Sequence, residues 1–140
     1  MVGMRISTAL LCDAATVREG LLHVLGGGVT RLGRGEFPAA MDVELALMVQ
    51  QHPTEFHGQH TLRVMLQDTD GQELAQAEMT WGPLQVLDGM HTDAWQPVVI
   101  PLRAVLLPGP GDYSIEVLID GIHQVSIDFV ALLPPETIDL

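Results

Sequence analysis

Residues 113–132 read YSIEVLIDGIHQVSIDFVAL, two segments of alternating apolar and polar residues on either side of Asp120-Gly121. Such alternation is typical of β-strands with one buried face, and Asp-Gly is a common hairpin turn. A strict two-residue turn, however, would place apolar residues opposite polar ones. Shifting the register by one residue pairs Tyr113 with Phe129, Ile115 with Ile127 and Val117 with Val125. The segment is therefore predicted to be a hairpin with an odd-length loop or a β-bulge near Gly121.

The segment just before this hairpin, residues 107–113, reads LPGPGDY. Its Pro and Gly residues make a rigid crossing segment that ends at Tyr113, on the inward face of the first hairpin strand. This arrangement predicts a tyrosine corner, in which the Tyr113 hydroxyl bonds a backbone group a few residues upstream. The alternative is an ordinary half-buried tyrosine.

The same alternation, broken by short Gly, Pro and Asp clusters, extends over most of the chain and indicates an all-β fold. We predict one domain over residues 1–140, an antiparallel two-sheet sandwich of the immunoglobulin-like kind with about eight strands. The predicted strands are residues 4–12, 21–25 with an extension over 29–32, 43–50, 60–67, 72–81, 95–102, 113–119 and 123–132.

The segment from Asp13 to Leu25 has two interpretations. Its apolar residues could line one face of a helix that begins at Asp13. Gly20 argues against the helix, because an interior glycine costs about 1 kcal/mol relative to alanine. We therefore expect a short turn from Asp13 to Glu19, followed by a strand.

The charge balance of the chain excludes several classes of partner. Eighteen acidic residues face six Arg and no Lys, a formal net charge of −12. Such a chain repels phosphate backbones and anionic lipids, so neither nucleic acid nor a membrane is an expected partner. The apolar stretch at residues 6–11 is shorter than the core of a secretory signal, and the single Cys12 cannot form an internal disulfide. We therefore expect a cytoplasmic protein.

One inter-strand loop gathers the ligand-rich residues of the chain. His52, Glu55, His57 and His60 lie within nine residues, and three such ligands can hold zinc with an open position. The spacing differs from HExxH, and Pro53 disfavours the helix that this motif needs. The four residues are thus candidate metal ligands, with a polar loop as the alternative; no other cofactor is indicated.

Other loops offer less chemistry. Residues 68–71, DTDG, begin like a calcium loop but lack its later ligands, so a hairpin turn explains them better. Residues 88–93, DGMHTD, hold two carboxylates and a histidine without a recognisable nucleophile motif nearby. The flanking Trp81 and Trp95 could form an aromatic platform, although one Trp is expected in the core of a sandwich. We expect no enzymatic activity.

Three segments together resemble a known family. They are residues 4–14 (MRISTALLCDA), residues 20–28 (GLLHVLGGG) and the closing hairpin with its GDY and DG motifs over residues 111–121. This pattern, which covers most of the chain, resembles a family of short, uncharacterised bacterial proteins, a domain of unknown function. The resemblance implies a β-sandwich in a bacterial cytoplasm and brings no assigned activity or catalytic residue.

The sequence predicts a non-catalytic protein-interaction or assembly module. Hydrophobic residues alone make up 47% of the chain and 14 Gly come in addition, whereas about 45–50% is usual for both together. A small domain that has no Lys to protect its sheet edges is expected to bury this excess in a homodimer. The alternative function is a small-ligand or metal-binding module that uses the loop from His52 to His60.

Overall fold

The computed structural model describes residues 4–55, 57–82 and 93–134. Strands hold 68% of these residues, and the only helical segment among them is a 3₁₀ turn over Pro53–Glu55. The predicted all-β class is therefore confirmed. The strands of the described residues are β1 Arg5–Arg18, β2 Leu21–Gly27, β3 Arg31–Gly33, β4 Ala39–Ala40, β5 Glu44–Gln51, β6 His60–Asp68, β7 Glu73–Trp81, β8 Ala94–Pro101, β9 Leu106–Leu107, β10 Gly111–Ile119 and β11 Ile122–Leu132. The described segments contain no helix long and apolar enough to cross a membrane.

These strands form two larger sheets and one small one. The first sheet has the order β2-β1-β5-β8, the second has the order β3-β11-β10-β6-β7, and β4 pairs with β9. The predicted antiparallel arrangement is wrong at one place, because β3 runs parallel to β11, with Leu32 beside Ala131. Strands β3 and β11 lie far apart in the sequence. The local alternation of apolar and polar residues therefore gives no sign that they pair in parallel.

One hydrophobic core joins the two larger sheets. Strand β5, in the middle of the first sheet, contributes Leu45, Leu47 and Val49, all 0% exposed. The second sheet contributes alternate residues of β6, β10 and β11, as a strand with one buried face does. The members from these three strands are Leu62, Val64, Leu66, Tyr113, Ile115, Val117, Ile119, Phe129 and Ala131.

The C-terminal hairpin has the predicted register. Tyr113 pairs with Phe129, Ile115 with Ile127, and Val117 with Val125. The next pair is Leu118 with His123, so Gln124 is the extra residue of a β-bulge. Asp120 and Gly121 form the two-residue turn with φ of 52° and 80°. The predicted bulge is confirmed, and it lies three residues beyond Gly121.

The tyrosine corner is also present. The Tyr113 hydroxyl donates a hydrogen bond of 2.6 Å to the Gly109 carbonyl oxygen, four residues upstream. Its ring stacks on Phe129 with 5.5 Å between the ring centroids. Tyr113 therefore anchors the crossing segment to the second sheet.

The expected turn from Asp13 to Glu19 is wrong. Strand β1 continues to Arg18, and residues 14–18 pair with residues 21–25 of β2. The reversal takes only Glu19 and Gly20, whose φ of 54° and 73° are those of a type I′ turn. Gly20 therefore serves a hairpin, and the helix over this segment is excluded as well.

Candidate interaction surface

The four candidate metal ligands do not converge. The His52 ring contacts the Thr54 hydroxyl at 2.9 Å, and His57 lies exposed in the turn that follows. The Glu55 carboxylate accepts hydrogen bonds from the backbone amides of Met4 and His52. Within residues 4–55, 57–82 and 93–134, no three His, Cys, Asp or Glu side chains meet as a metal site.

His60 instead ties two loops together. Its Nδ1 lies 2.7 Å from Oδ2 of Asp120, and its Nε2 lies 2.7 Å from the carbonyl oxygen of Glu55. The other Asp120 carboxylate oxygen accepts the Thr61 amide. With both nitrogens facing oxygen acceptors, the imidazolium form makes the most of these contacts and has no lone pair for a metal.

The two partners have shifted pKa values. Burial opposes the charge of His60, but the hydrogen bonds to Asp120 and Glu55 outweigh burial and raise the His60 pKa. Burial likewise opposes the charge of Asp120, but the hydrogen bonds from His60 and Thr61 lower the Asp120 pKa. The charged pair is thus favoured in the folded protein.

We expect the contribution of His60 to stability to depend on pH. A raised folded pKa gives stability that is fully present below the unfolded pKa of about 6.5 and is lost as the pH rises through the folded pKa. His60→Gln should therefore cost more stability at about pH 5.5 than at about pH 8.5, both of which lie above the range where Asp120 is protonated. Urea melts at the two pH values measure this. Asp120→Asn is the control, since without the Asp120 carboxylate the cost of His60→Gln should depend much less on pH. An equal cost of His60→Gln at both pH values in the parent would contradict the charged pair.

We expect zinc to leave the stability unchanged. A tight site would add RT ln(1 + [L]/Kd) to the free energy of unfolding, but His60 has both nitrogens engaged. Melts of the untagged protein with and without micromolar zinc measure this. A rise in Tm that disappears in His57→Ala would restore the metal-binding hypothesis.

The loops at residues 68–71 and 88–93, and the two Trp residues near the second loop, differ in what the structure shows of them. Asp68 accepts the amides of Asp70 and Gln72, so DTDG is a hairpin turn, as predicted. Of residues 88–93 only Asp93 lies within the described residues, and it accepts a hydrogen bond from Gln50. Trp81 packs against the core, and its ring centroid lies 5.9 Å from that of His60, whereas Trp95 is exposed.

Two of the cavities in the described part of the chain have contrasting linings. A trough of about 570 Å³ is open to solvent beside Asp68, Asp112 and Asp128. A smaller one of about 230 Å³ is lined mainly by apolar side chains such as Met41 and Val64. Ligand sites combine an apolar lining with a few converging polar groups, and neither cavity has that combination.

Sheet edges differ sharply in how they are protected. Strand β8 carries Pro97 and Pro101, β7 carries Glu73 and Glu78, and β3 is only three residues long. Prolines, charges and short length are the usual features that stop an edge from pairing with another chain. Strand β2, LLHVLGG, has none of them. Its outer edge has no backbone partner among the described residues.

The exposed face of β2 is apolar. Leu21 and Leu25 are 62% and 70% exposed, and both lie on the same side of the strand as His23. On β1 of the same hairpin, Val17 is also exposed, but it pairs with Leu22 and lies on the opposite face. An unprotected edge beside exposed leucines is a template for strand pairing.

Sequence reasoning missed this edge. Residues 20–28 contribute to the family resemblance, and their apolar run predicts a strand. Nothing in the run itself says that β2 lies at the end of a sheet, because that position depends on the sheet order. The absence of Pro and of charged residues from residues 21–27 is the signal that the sequence offers.

Comparisons with known proteins give a family and distant structural likenesses. No curated protein matches the chain. A solved structure, the Pseudomonas fluorescens alkylpurine DNA glycosylase AlkC bound to DNA containing an abasic site analog, matches with a TM-score of 0.47 and 12% identity. The match covers 91% of this chain and 30% of that chain, so this chain spans less than a third of the glycosylase. The model of a family of unknown function (DUF6941) matches residues 7–131. This match covers most of the chain, and the protein therefore belongs to DUF6941, a family of unknown function.

Proposed function

We propose that this protein is a non-catalytic interaction module that binds another protein through the outer edge of β2. The observation that carries the proposal is the contrast between the unprotected β2 edge and the prolines, charges and short strand at the other three edges. The hydrophobic share of 47%, with 14 Gly in addition, exceeds the usual share of about 45–50% for both together and fits a protein that buries further surface in a complex.

The backbone of β2 is arranged for strand addition. In a hairpin closed by a two-residue turn, the residues that flank the turn are a hydrogen-bonded pair. The amides of Leu21, His23 and Leu25 therefore point towards β1, and those of Leu22 and Val24 point outwards. An extended partner segment would pair with the outward backbone N–H and C=O groups of these two residues and gain affinity from main-chain hydrogen bonds.

Side chains with catalytic potential have structural contacts instead, which supports the non-catalytic part of the proposal. His60 is held between Asp120 and the Glu55 carbonyl. Cys12 is fully buried, and burial raises the pKa of its thiol, so the reactive thiolate is disfavoured.

We propose that the two larger sheets form an immunoglobulin-like sandwich, which is supported by their shared core and by the bond from Tyr113 to Gly109. A bacterial cytoplasmic location remains our expectation, supported by the lone buried Cys12 and the lack of any need for disulfides.

Site-specific photo-crosslinking tests the proposed surface. A photoreactive amino acid replaces Leu21 in one variant and Ile122 in another, in cells that produce the protein. The two positions are matched, because both follow the Gly of a two-residue turn and are 62% and 66% exposed. We expect protein adducts from position 21 only. Equal adducts at both positions, or none at position 21, would contradict the proposal.

A further inference from the structure

The partner of the β2 edge follows from the self-complementarity of the strand. We infer that β2 pairs antiparallel with β2 of a second copy of this chain, across a two-fold axis at His23. This inference rests on the proposed function, since it names the partner of the same edge. It joins the four-stranded sheets of two copies into one continuous sheet of eight strands.

The residues on either side of His23 in β2 are apolar in a symmetric pattern. Residues 21–25 read LLHVL. In an antiparallel pair with the axis at His23, Leu21 meets Leu25 of the partner subunit, and Leu22 meets Val24 of the partner subunit. Every pair except the central one is then apolar, and cross-strand apolar pairs are what stabilise a sheet.

The hydrogen-bonding groups fit the same register. The outward backbone N–H and C=O groups of β2 belong to Leu22 and Val24. In this register Leu22 lies opposite Val24 of the partner subunit, and Val24 lies opposite Leu22 of the partner subunit. These are hydrogen-bonded pairs, and the His23 pair between them is a non-hydrogen-bonded one, as the alternation of an antiparallel ladder requires. The seam would contain four backbone hydrogen bonds.

Neighbouring registers fit less well. An axis at Val24 would set Leu21 opposite Gly27 and Leu22 opposite Gly26. Gly26 has a φ of 62°, which interrupts the extended backbone at that point. The regular, pairing-competent part of the edge is therefore residues 21–25, and its centre is His23.

The charge distribution allows two acidic copies to meet at this seam. The chain has a formal net charge of −12, but residues 21–27 contain no Asp, Glu, Lys or Arg. Acidic side chains on the far sheet, such as Glu73, Glu78 and Asp128, lie on strands away from this edge. The seam brings no like charges directly opposite each other, while the net charge opposes further association.

Light scattering coupled to gel filtration tests the inference on the purified full-length chain. At micromolar concentration we expect twice the 15.2 kDa mass of the monomer. Leu21→Lys should raise the dimer Kd about 100-fold or more, because each copy loses a leucine that the dimer would bury. Lysine makes the net charge less negative, so greater overall repulsion cannot cause the loss.

Ile122→Lys is the matched control and should remain dimeric, since it makes the same change at an equally exposed residue after the other turn. Leu25→Lys tests the same seam at a side chain that is 70% exposed, in case Leu21→Lys misfolds. A dimer that survives both Leu21→Lys and Leu25→Lys would overturn the inference. A monomeric parent would also overturn it, and crosslinks at position 21 to a different protein would then leave the proposed function standing.

Discussion

Replacing Tyr113 should separate the hydrogen bond of the tyrosine corner from the packing of its ring. We expect Tyr113→Ala to cost about 3–5 kcal/mol, since a large buried side chain is lost. Tyr113→Phe should cost about 1 kcal/mol, the net value of one hydrogen bond. The physical basis is the 2.6 Å bond to the Gly109 carbonyl and the stacking of the ring on Phe129.

Urea melts of the parent and both variants measure these costs. The Phe variant keeps the ring and removes only the hydroxyl, so it serves as the internal control for packing. A Phe variant as stable as the parent would mean that the bond to Gly109 does not hold the crossing segment.

Truncating Leu47 should be among the most destabilising single changes in the chain. Leu47 is 0% exposed in β5, between Ala9 of β1 and Val98 of β8, and it belongs to the core that both larger sheets share. We expect Leu47→Ala to cost about 2–5 kcal/mol, from lost burial plus the cavity left behind.

Leu118→Ala is the matched control for this prediction. Leu118 is half-buried and alternates with the core residues Val117 and Ile119, so it lies on the outer face of the second sheet. The same truncation there should cost about 1 kcal/mol or less. Equal costs at Leu47 and Leu118 in denaturant melts would contradict a single core between the sheets.

The C-terminal hairpin shows how much the sequence can determine. Apolar residues alternate on both strands, so only one register places Tyr113, Ile115 and Val117 on the same face as their partners. An odd-length loop or a β-bulge follows from that constraint, and the structure has the bulge. The position of the extra residue, Gln124, depends on the turn geometry and could not be predicted from the alternation.

Residues 13–18 show why other strands were missed. Two adjacent alanines, Ala14 and Ala15, give no alternation that favours a strand over a turn. Their extended state comes from pairing with β2, an interaction that depends on the Glu19-Gly20 reversal. The very short strands β4 and β9 pair with each other across more than 60 residues of chain and leave no local pattern either.

Closeness in sequence makes His52, Glu55, His57 and His60 candidate metal ligands. Among the described residues, however, no three of these side chains meet as a metal site. His60 begins strand β6, so its ring turns towards Asp120 in the adjacent hairpin turn, 60 residues away. His52 and His57 lie on either side of the 3₁₀ turn; His52 contacts Thr54, and His57 is exposed. Only the sheet order, with β6 beside β10, brings His60 and Asp120 together.

Amide hydrogen exchange at Leu22 and Val24 tests the central claim, that the β2 edge pairs with a second copy, most directly. These two amides point away from β1, so in a monomer they face solvent, and in the dimer they lie in the seam. We predict that their protection rises with protein concentration, while the His23 amide, directed towards β1, is protected throughout. Fast exchange of Leu22 and Val24 at every concentration would contradict the account.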